Sequence, residues 1–338
     1  MKKGIAIGGN WLLDYVKVVD VYPEQDHLAN ILSQRQGNGG CAYTTLKDLA
    51  KLGAPFPLQG LGMVGEDAAG DWIVKDCRAH GIDMSRVKRT GKAPTSYTDV
   101  MTVAEGGRRT FFHNRGANAL WSPDDVKIDG LTCRIFHLGY LLLLDRFDLP
   151  DERYGTVATR FLARLQERGI KTSIDVVSED SRRYAKVVRP ALRHVNYAIL
   201  NEVEVGRTTG YELRRRDGSL DEKALRRSGE TLFRLGVKDL VVVHFPEGGY
   251  ARTADGREML QPSVRLPKGY IKGTVGAGDA FAAGALLAIH EDAPMEQILE
   301  DGACVAAASL ASETASDSIA ALRKARALGR KFGFRKNG

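Results

Sequence analysis

The segment Lys272-Gly273-Thr274-Val275-Gly276-Ala277-Gly278-Asp279-Ala280-Phe281-Ala282-Ala283-Gly284 runs small residues straight into an apolar stretch that continues to His290. A helix starting here leaves its first N–H groups without intrahelical partners. Gly276, Ala277 and Gly278 add no bulk over those groups, so a phosphate can approach them directly. The helix dipole favours negative charge at the same end. These three residues form a candidate anion hole. Asp279, at the mouth of the helix, is placed to take a proton from an attacking hydroxyl. A nucleophile, a base and donors around the moving charge are what phosphoryl transfer requires. The spacing alone fits equally an Asp that caps the helix.

Working outward, residues 277–290 and 295–310 are Ala-rich and apolar on most sides, as buried helices are. Amphipathic helices are expected at 42–52, 68–80, 156–168 and 221–235, each stopped by a following glycine: Gly53, Gly81, Gly169 and Gly236. Short apolar runs at 134–138, 170–176, 197–200 and 240–244 read as buried strands, and residues 4–13 as the first of them. Strands alternating with helices predict a three-layer, doubly wound α/β fold with a mostly parallel sheet covered on both faces. Two polar stretches rich in β-formers, 15–35 and 95–114, break the alternation. They read as a small β-sheet lid or as surface hairpins. The core then comprises 1–14, 36–94 and 115–338.

The 338 residues, 43% hydrophobic and 27% charged, suit one large α/β domain with a small appendage or two modest domains. Cys41, Cys77, Cys133 and Cys304 form no C-x-x-C pair, which argues against a zinc site or a disulfide framework and for reduced thiols in a cytoplasm. Met1-Lys2-Lys3 before an apolar run resembles a signal peptide, but Gly8, Gly9 and Asn10 interrupt the run and Asp14 follows without a cleavage site. No stretch reaches the roughly 18 apolar residues of a membrane span. The formal net charge is +7. From Arg323 onward Lys324, Arg326, Arg330, Lys331, Arg335 and Lys336 follow with no acidic residue, so the tail holds the whole surplus and the body is nearly neutral. A solvated, partly helical C-terminus is expected, with neither nucleic acid nor membrane as partner.

Gly60-Leu61-Gly62-Met63-Val64-Gly65 is formally G-x-G-x-x-G. The dinucleotide fingerprint sits in the first βα turn, and Pro55 and Pro57 make a poor central strand of what precedes it. The chain has no G-x-x-x-x-G-K-[ST] and no H-R-D or D-F-G set, which excludes P-loop and protein kinases.

The segment 273–279 resembles the second signature of the ribokinase-like (PfkB) carbohydrate kinases, D-T-x-G-A-G-D. Six further points agree in order. Gly9-Asn10 followed by Asp14 resembles the family's sugar-binding strand end. Gly39-Gly40, before a helix ending Leu52-Gly53, resembles its first signature. Gly62-Met63-Val64-Gly65-Glu66-Asp67-Ala68-Ala69-Gly70 resembles G-x-V-G-x-D-x-x-G. Arg109-Thr110-Phe111 with Gly116-Ala117-Asn118 resembles the lid return, Asn201-Glu202-Val203-Glu204 the N-x-x-E motif, and residues 243–249 the nucleotide-binding strand and loop.

The resemblance implies an ATP-dependent sugar kinase with Asp279 as general base and a lid that closes over the acceptor. It implies that Asn10, Asp14, Gly39, Gly40, Thr44 and Asn118 meet the sugar, with Asp14 accepting from two hydroxyls. It implies that Asn201, Glu204, His244, Glu247, Gly249 and Thr274 lie at the nucleotide, and that Glu204 holds Mg²⁺ through water. Three positions depart from the pattern. Gly273 replaces an Asp that helps hold an activating monovalent cation in many members, so potassium activation does not carry over. Thr44 replaces a common sugar-contacting Asn, and His244-Phe245-Pro246-Glu247 replaces the usual T-x-G loop. Ribose, fructose, keto-deoxy sugar acids and nucleosides all occur as family substrates. Arg108, Arg109 and Arg115 in or near the lid suit an acidic sugar or simple lid exposure. A nucleoside kinase, a catalytically silent sugar sensor on the same fold and a homodimer through the lid remain open.

Overall fold

The apolar stretch 4–13, expected as one strand, contributes to two. The computed structural model describes residues 3–336; Met1, Lys2, Asn337 and Gly338, which fall within the expected core limits and the signal-like N-terminus, lie outside them. In it β1 (Ile5–Gly9) is buried in the main sheet, and β2 (Leu12–Val19) leaves for a second sheet. The chain breaks between them at Asn10 and Trp11. There the Asn10 N–H donates to the Gly139 carbonyl and the Trp11 N–H to the Asn118 side-chain oxygen, both at 3.1 Å. Backbone groups released from the sheet are thus paired before they are buried.

The chain continues through β3 (Ile31–Gly39), α1 (Cys41–Leu52), β4 (Leu58–Gly65), α2 (Ala68–Ala79), β5 (Asp83–Thr90), β6 (Ser96–Val103), β7 (Arg109–Asn114) and β8 (Ile135–Leu141). A two-residue hairpin, β9 (Pro150–Asp151) and β10 (Gly155–Thr156), precedes α3 (Val157–Glu167), β11 (Lys171–Val176), α4 (Tyr184–Ala191), β12 (Tyr197–Asn201) and α5 (Glu202–Thr209). Then come α6 (Glu222–Leu235), β13 (Leu240–Phe245), β14 (Gly248–Thr253), β15 (Glu258–Pro262), α7 (Ala277–His290), α8 (Met295–Ser309) and α9 (Leu322–Phe332).

The main sheet has the order β15-β14-β13-β12-β11-β8-β1-β4-β5. From β13 to β5 neighbouring strands are parallel; β14 and β15 add an antiparallel edge. Leu46, Ile73, Leu286 and Leu299 bring α1, α2, α7 and α8 to one face, and Phe161, Val188, Val205 and Leu232 bring α3 to α6 to the other. This is the three-layer, doubly wound fold. Helices α4 and α5 have no counterpart in the sequence reading: each is eight residues long, too short for a 3.6-residue period to stand out, and α4 contains Pro190.

The small sheet has the order β3-β2-β6-β7, with β2 and β6 parallel and the outer pairs antiparallel. Its strands reach past the limits 15–35 and 95–114, because pairing begins immediately after the break: Leu12 is already in register with Gly39 and Ser96. The lid therefore grows out of the core without a linker.

Pro55 and Pro57 did not prevent an interior strand, since both precede Leu58 and β4 pairs with β1 and β5 on either side. The glycines at 60, 62 and 65 lie inside β4, not at a strand-to-helix turn. A Cβ at Gly60 or Gly62 would fall 2.6 or 2.2 Å from the Trp11 ring, whose Nε1 donates to the Leu61 carbonyl at 2.8 Å. Packing against a buried indole, not a dinucleotide, accounts for the pattern. Part of the basic tail is likewise used: Arg326 in α9 makes a bidentate pair at 2.7 and 2.8 Å with the buried Asp301 of α8. All four cysteines are free and buried, and no helix among the described residues is long and apolar enough to cross a membrane.

Candidate active site

Helix α7 begins at Gly276, where φ is 72° and no side chain caps the first turn. Glycine is the residue that takes this left-handed conformation freely. Ala315 closes the space behind it, 2.4 Å from any added Cβ. The Ala277 N–H turns back to the Thr274 carbonyl at a long 3.4 Å, and Gly278 lies under the His244 ring, where a Cβ would be 2.9 Å from Cε1. This turn, from Thr274 to Asp279, forms one wall of a cleft of about 550 Å³. The cleft opens at the carboxyl ends of the parallel strands, where Tyr140, Asp175, Asn201 and His244 stand at or beside the ends of β8, β11, β12 and β13.

Asp279 is 5% exposed, and its Oδ1 accepts a 2.8 Å hydrogen bond from the Tyr140 hydroxyl. Burial pushes its carboxyl up to about 7, with the Tyr140 bond opposing. A carboxyl balanced near neutrality both accepts and releases a proton readily. Asp14 reaches the same cleft from β2 in the lid. Burial, then the negative charge of Asp279, raises it to about 8, while a hydrogen bond from Thr98 opposes. Gly39 lies against this carboxyl, since a Cβ there would be 2.5 Å from Asp14 Cγ. Gly40 and Thr44, at the start of α1, line the cleft beside it.

Asp14, Thr98 and His113 form one rung across β2, β6 and β7. His113 Nδ1 lies 3.0 Å from Thr98 Oγ1. With the Thr98 hydroxyl donated to Asp14, Nδ1–H is the donor to Thr98 and Nε2 is left as an acceptor. Burial and the Arg115 charge hold this imidazole neutral by lowering it to about 4. Nε2 is buried and has no partner among the described residues.

Asn201 and Glu204 are brought together by a capping box at the start of α5: each side chain accepts from the other's backbone N–H at 2.9 Å. Ser178 and Asn201 Nδ2 both donate to Glu204 Oε1, leaving one lone pair open on Oε2. Glu204 is raised to about 8, mainly by burial with Glu202 and Asp279 adding to it, and Asp175 is raised by burial and by Glu204. Four buried carboxyls, Asp14, Asp175, Glu204 and Asp279, thus converge on one cleft. A hard divalent cation fits this donor set, because it offsets the mutual repulsion and takes oxygen ligands through water.

Other expected residues lie elsewhere. Asn10 accepts from the Tyr140 N–H at 2.9 Å, and Asn118 spends its amide on both backbone groups of Trp11, so these two fix the hinge and do not line the cleft. Gly249 packs on Phe281, and Glu247, in the turn between β13 and β14, pairs with Arg214 at 2.7 Å. His244 does line the cleft, held neutral near 4 by burial and stacked 5.3 Å from Phe281. At Gly273 a Cβ would lie 2.7 Å from the Ser312 carbonyl, leaving no space for an Asp. Thr98, His113, Tyr140, Asp175 and Ser178 were not singled out from the sequence. The one available signal was the alternation Arg109-x-Phe111-x-His113, which places all three on one face of a strand.

Residues 9–322 match the pfkB family of carbohydrate kinases. The chain belongs to that family. It is a phosphotransferase with a sugar hydroxyl as acceptor. This pfkB kinase is 25% identical over 315 residues to ketohexokinase of Mus musculus, covering 90% of this chain and 95% of the relative. It is 27% identical to an ATP-dependent ribose-1-phosphate kinase of Halopiger xanaduensis, covering 86% of each. The structure of Arabidopsis thaliana ribokinase complexed with ribose and ATP superposes with a TM-score of 0.77 at 21% identity, over 97% of this chain and 99% of that one. The fold of this pfkB kinase is accordingly the ribokinase fold.

Proposed function

We propose that this kinase transfers the γ-phosphate of ATP to a hydroxyl of a small sugar, with Asp279 as the general base. The observation that carries the reading is Asp279 itself: a buried carboxyl, poised near neutral pH, on the first turn of an uncapped helix that opens into the cleft.

Asp14 and His113 Nε2 accept hydrogen bonds from sugar hydroxyls, which replaces water on two buried acceptors. The lid excludes water that would otherwise take the phosphoryl. Asp279 accepts the proton of the attacking hydroxyl, while Tyr140 fixes which carboxylate oxygen faces it. Uncapped amides of α7 lie where charge accumulates on the phosphoryl oxygens. Asn201 and Glu204 hold water of a magnesium ion, which when bound supplies positive charge to the phosphates. The name of the Halopiger relative and the ATP complex of the Arabidopsis structure support ATP as donor. Ile31, Leu32 and Phe112, all more than half exposed on the lid, support pairing of two copies there.

A coupled ADP-release screen over aldoses, ketoses, sugar acids, sugar phosphates and nucleosides tests the reading. Release dependent on an added sugar and on Mg²⁺ is expected. Release with nucleosides alone makes the protein a nucleoside kinase, and ligand binding without turnover makes it a sensor.

A further inference from the structure

Resting on the kinase reading of this cleft, we infer that the acceptor is an anionic sugar, a sugar acid or a sugar monophosphate, whose charged end is held by Arg109. Strand β7 presents Arg109, Phe111 and His113 at alternate positions, and all three line the cleft. With their neighbours they make three successive rungs on the inner face of the lid. The first is polar: Asp14, Thr98 and His113. The second is apolar: Val16, Val100 and Phe111. The third pairs Arg109 with Thr102.

The first and third rungs are four residues apart on an extended strand, about 13 Å between Cα atoms, and the flexible Arg109 side chain spans part of that distance. One end of this face thus offers acceptors for hydroxyls, the middle the Phe111 ring for a sugar's C–H face, and the far end a guanidinium. Neutral sugars have nothing to match the third rung. A carboxylate or phosphate monoester does, in the bidentate geometry a guanidinium favours.

Among the described residues Arg109 is the one arginine or lysine that lines the cleft, and it lacks a counter-ion, whereas several cations on the lid and near its base are paired. Lys17 is paired with Asp99, Arg35 with Glu313, Arg115 with Asp145, and Arg183 with Asp148 and Glu179. Among the described residues no carboxylate lies within ion-pair distance of Arg109; its contact is the Phe111 ring, 5.6 Å from the guanidinium carbon to the centroid. Burial disfavours its charge, and no neighbouring acid offsets this. On the same rung, Thr102 Oγ1 is buried without a hydrogen-bond partner. A half-buried cation that lines the cleft without a counter-ion, beside an orphaned hydroxyl on its own rung, is the complement of an anionic group.

The test compares acceptors of matched skeleton: D-gluconate against D-glucose, and D-ribose 1-phosphate against D-ribose, each by ADP release. The anionic member of at least one pair should have the higher kcat/KM, by about tenfold or more, with a KM that rises with ionic strength. The carboxylate and phosphate arms identify which anion is taken. In Arg109→Gln the ratio of anionic to neutral kcat/KM should fall at least about tenfold, through KM more than kcat. A ratio that Arg109→Gln leaves unchanged, or neutral acceptors preferred in both pairs, overturns the inference and leaves the kinase reading standing. No ADP release with any acceptor removes both.

Discussion

The Tyr140 hydroxyl donates a 2.8 Å hydrogen bond to Asp279 Oδ1. The two residues are 139 positions apart, and the bond joins the end of a central strand to the first turn of α7. It steadies the base and opposes the effect of burial on its carboxyl. Tyr140→Phe should therefore raise the Asp279 pKa. Because the base acts when ionised, the acidic limb of the kcat profile should move to higher pH, with a loss at pH 7 of roughly three- to thirtyfold. A kcat–pH profile of the variant checks this; an unmoved limb means that the bond only packs.

In the intact enzyme the pH dependence has the same sign. Asp279 titrates at about 7. The free-enzyme profile, kcat/KM against pH, should fall as pH drops through that value, tenfold for each unit below it. A flat profile between pH 5 and 8 would remove Asp279 as the titrating base.

Asp14 makes a prediction about stability. Its folded pKa, about 8, lies above the ordinary carboxylate value of 3.8, so the folded state holds the proton more tightly. The penalty is absent below about pH 4 and grows as pH rises towards 8. Asp14→Asn should be more stable than the parent at pH 8 by several degrees in Tm, with the gap closing near pH 4. The KM for the sugar should rise at the same time, since ground-state contacts are lost. Thermal scans at both pH values and a sugar titration read the two effects separately.

Glu204→Gln keeps the capping geometry and removes the charge. The concentration of Mg²⁺ for half-maximal rate should rise roughly 10–100-fold. A magnesium titration at saturating sugar checks it, and an unchanged midpoint assigns Glu204 to the helix cap alone.

Gly62→Ala pushes a methyl group into the Trp11 ring, where the added carbon would be 2.2 Å from the indole. A loss of about 1–3 kcal/mol is expected, seen as a lower midpoint in denaturant.

The layered fold was legible because long helices stopped by glycines and short apolar runs alternate along the chain. The helix mouth at 276–279 was legible because its small residues are contiguous. What stayed hidden depends on contacts between distant segments. Tyr140 reads as one more strand residue until α7 is laid beside it. Asn10 and Asn118 look like ligand groups in sequence; only the hinge at Trp11 shows both amides turned onto backbone. The G-x-G-x-x-G pattern was set aside as a dinucleotide fingerprint from its place in the chain, but its cause was hidden, because the reason for Gly60 and Gly62 is an indole 49 and 51 residues away in the chain. The lid was visible as β-forming polar sequence, but not its register, which sets Asp14, Thr98 and His113 side by side.

The most direct test of the central claim is kcat for Asp279→Asn with the best acceptor from the screen, on protein shown by circular dichroism to be folded. The account predicts a loss of at least ~10² in sugar-dependent ADP release, with the sugar KM changed far less. A variant turning over within about threefold of the parent would contradict it.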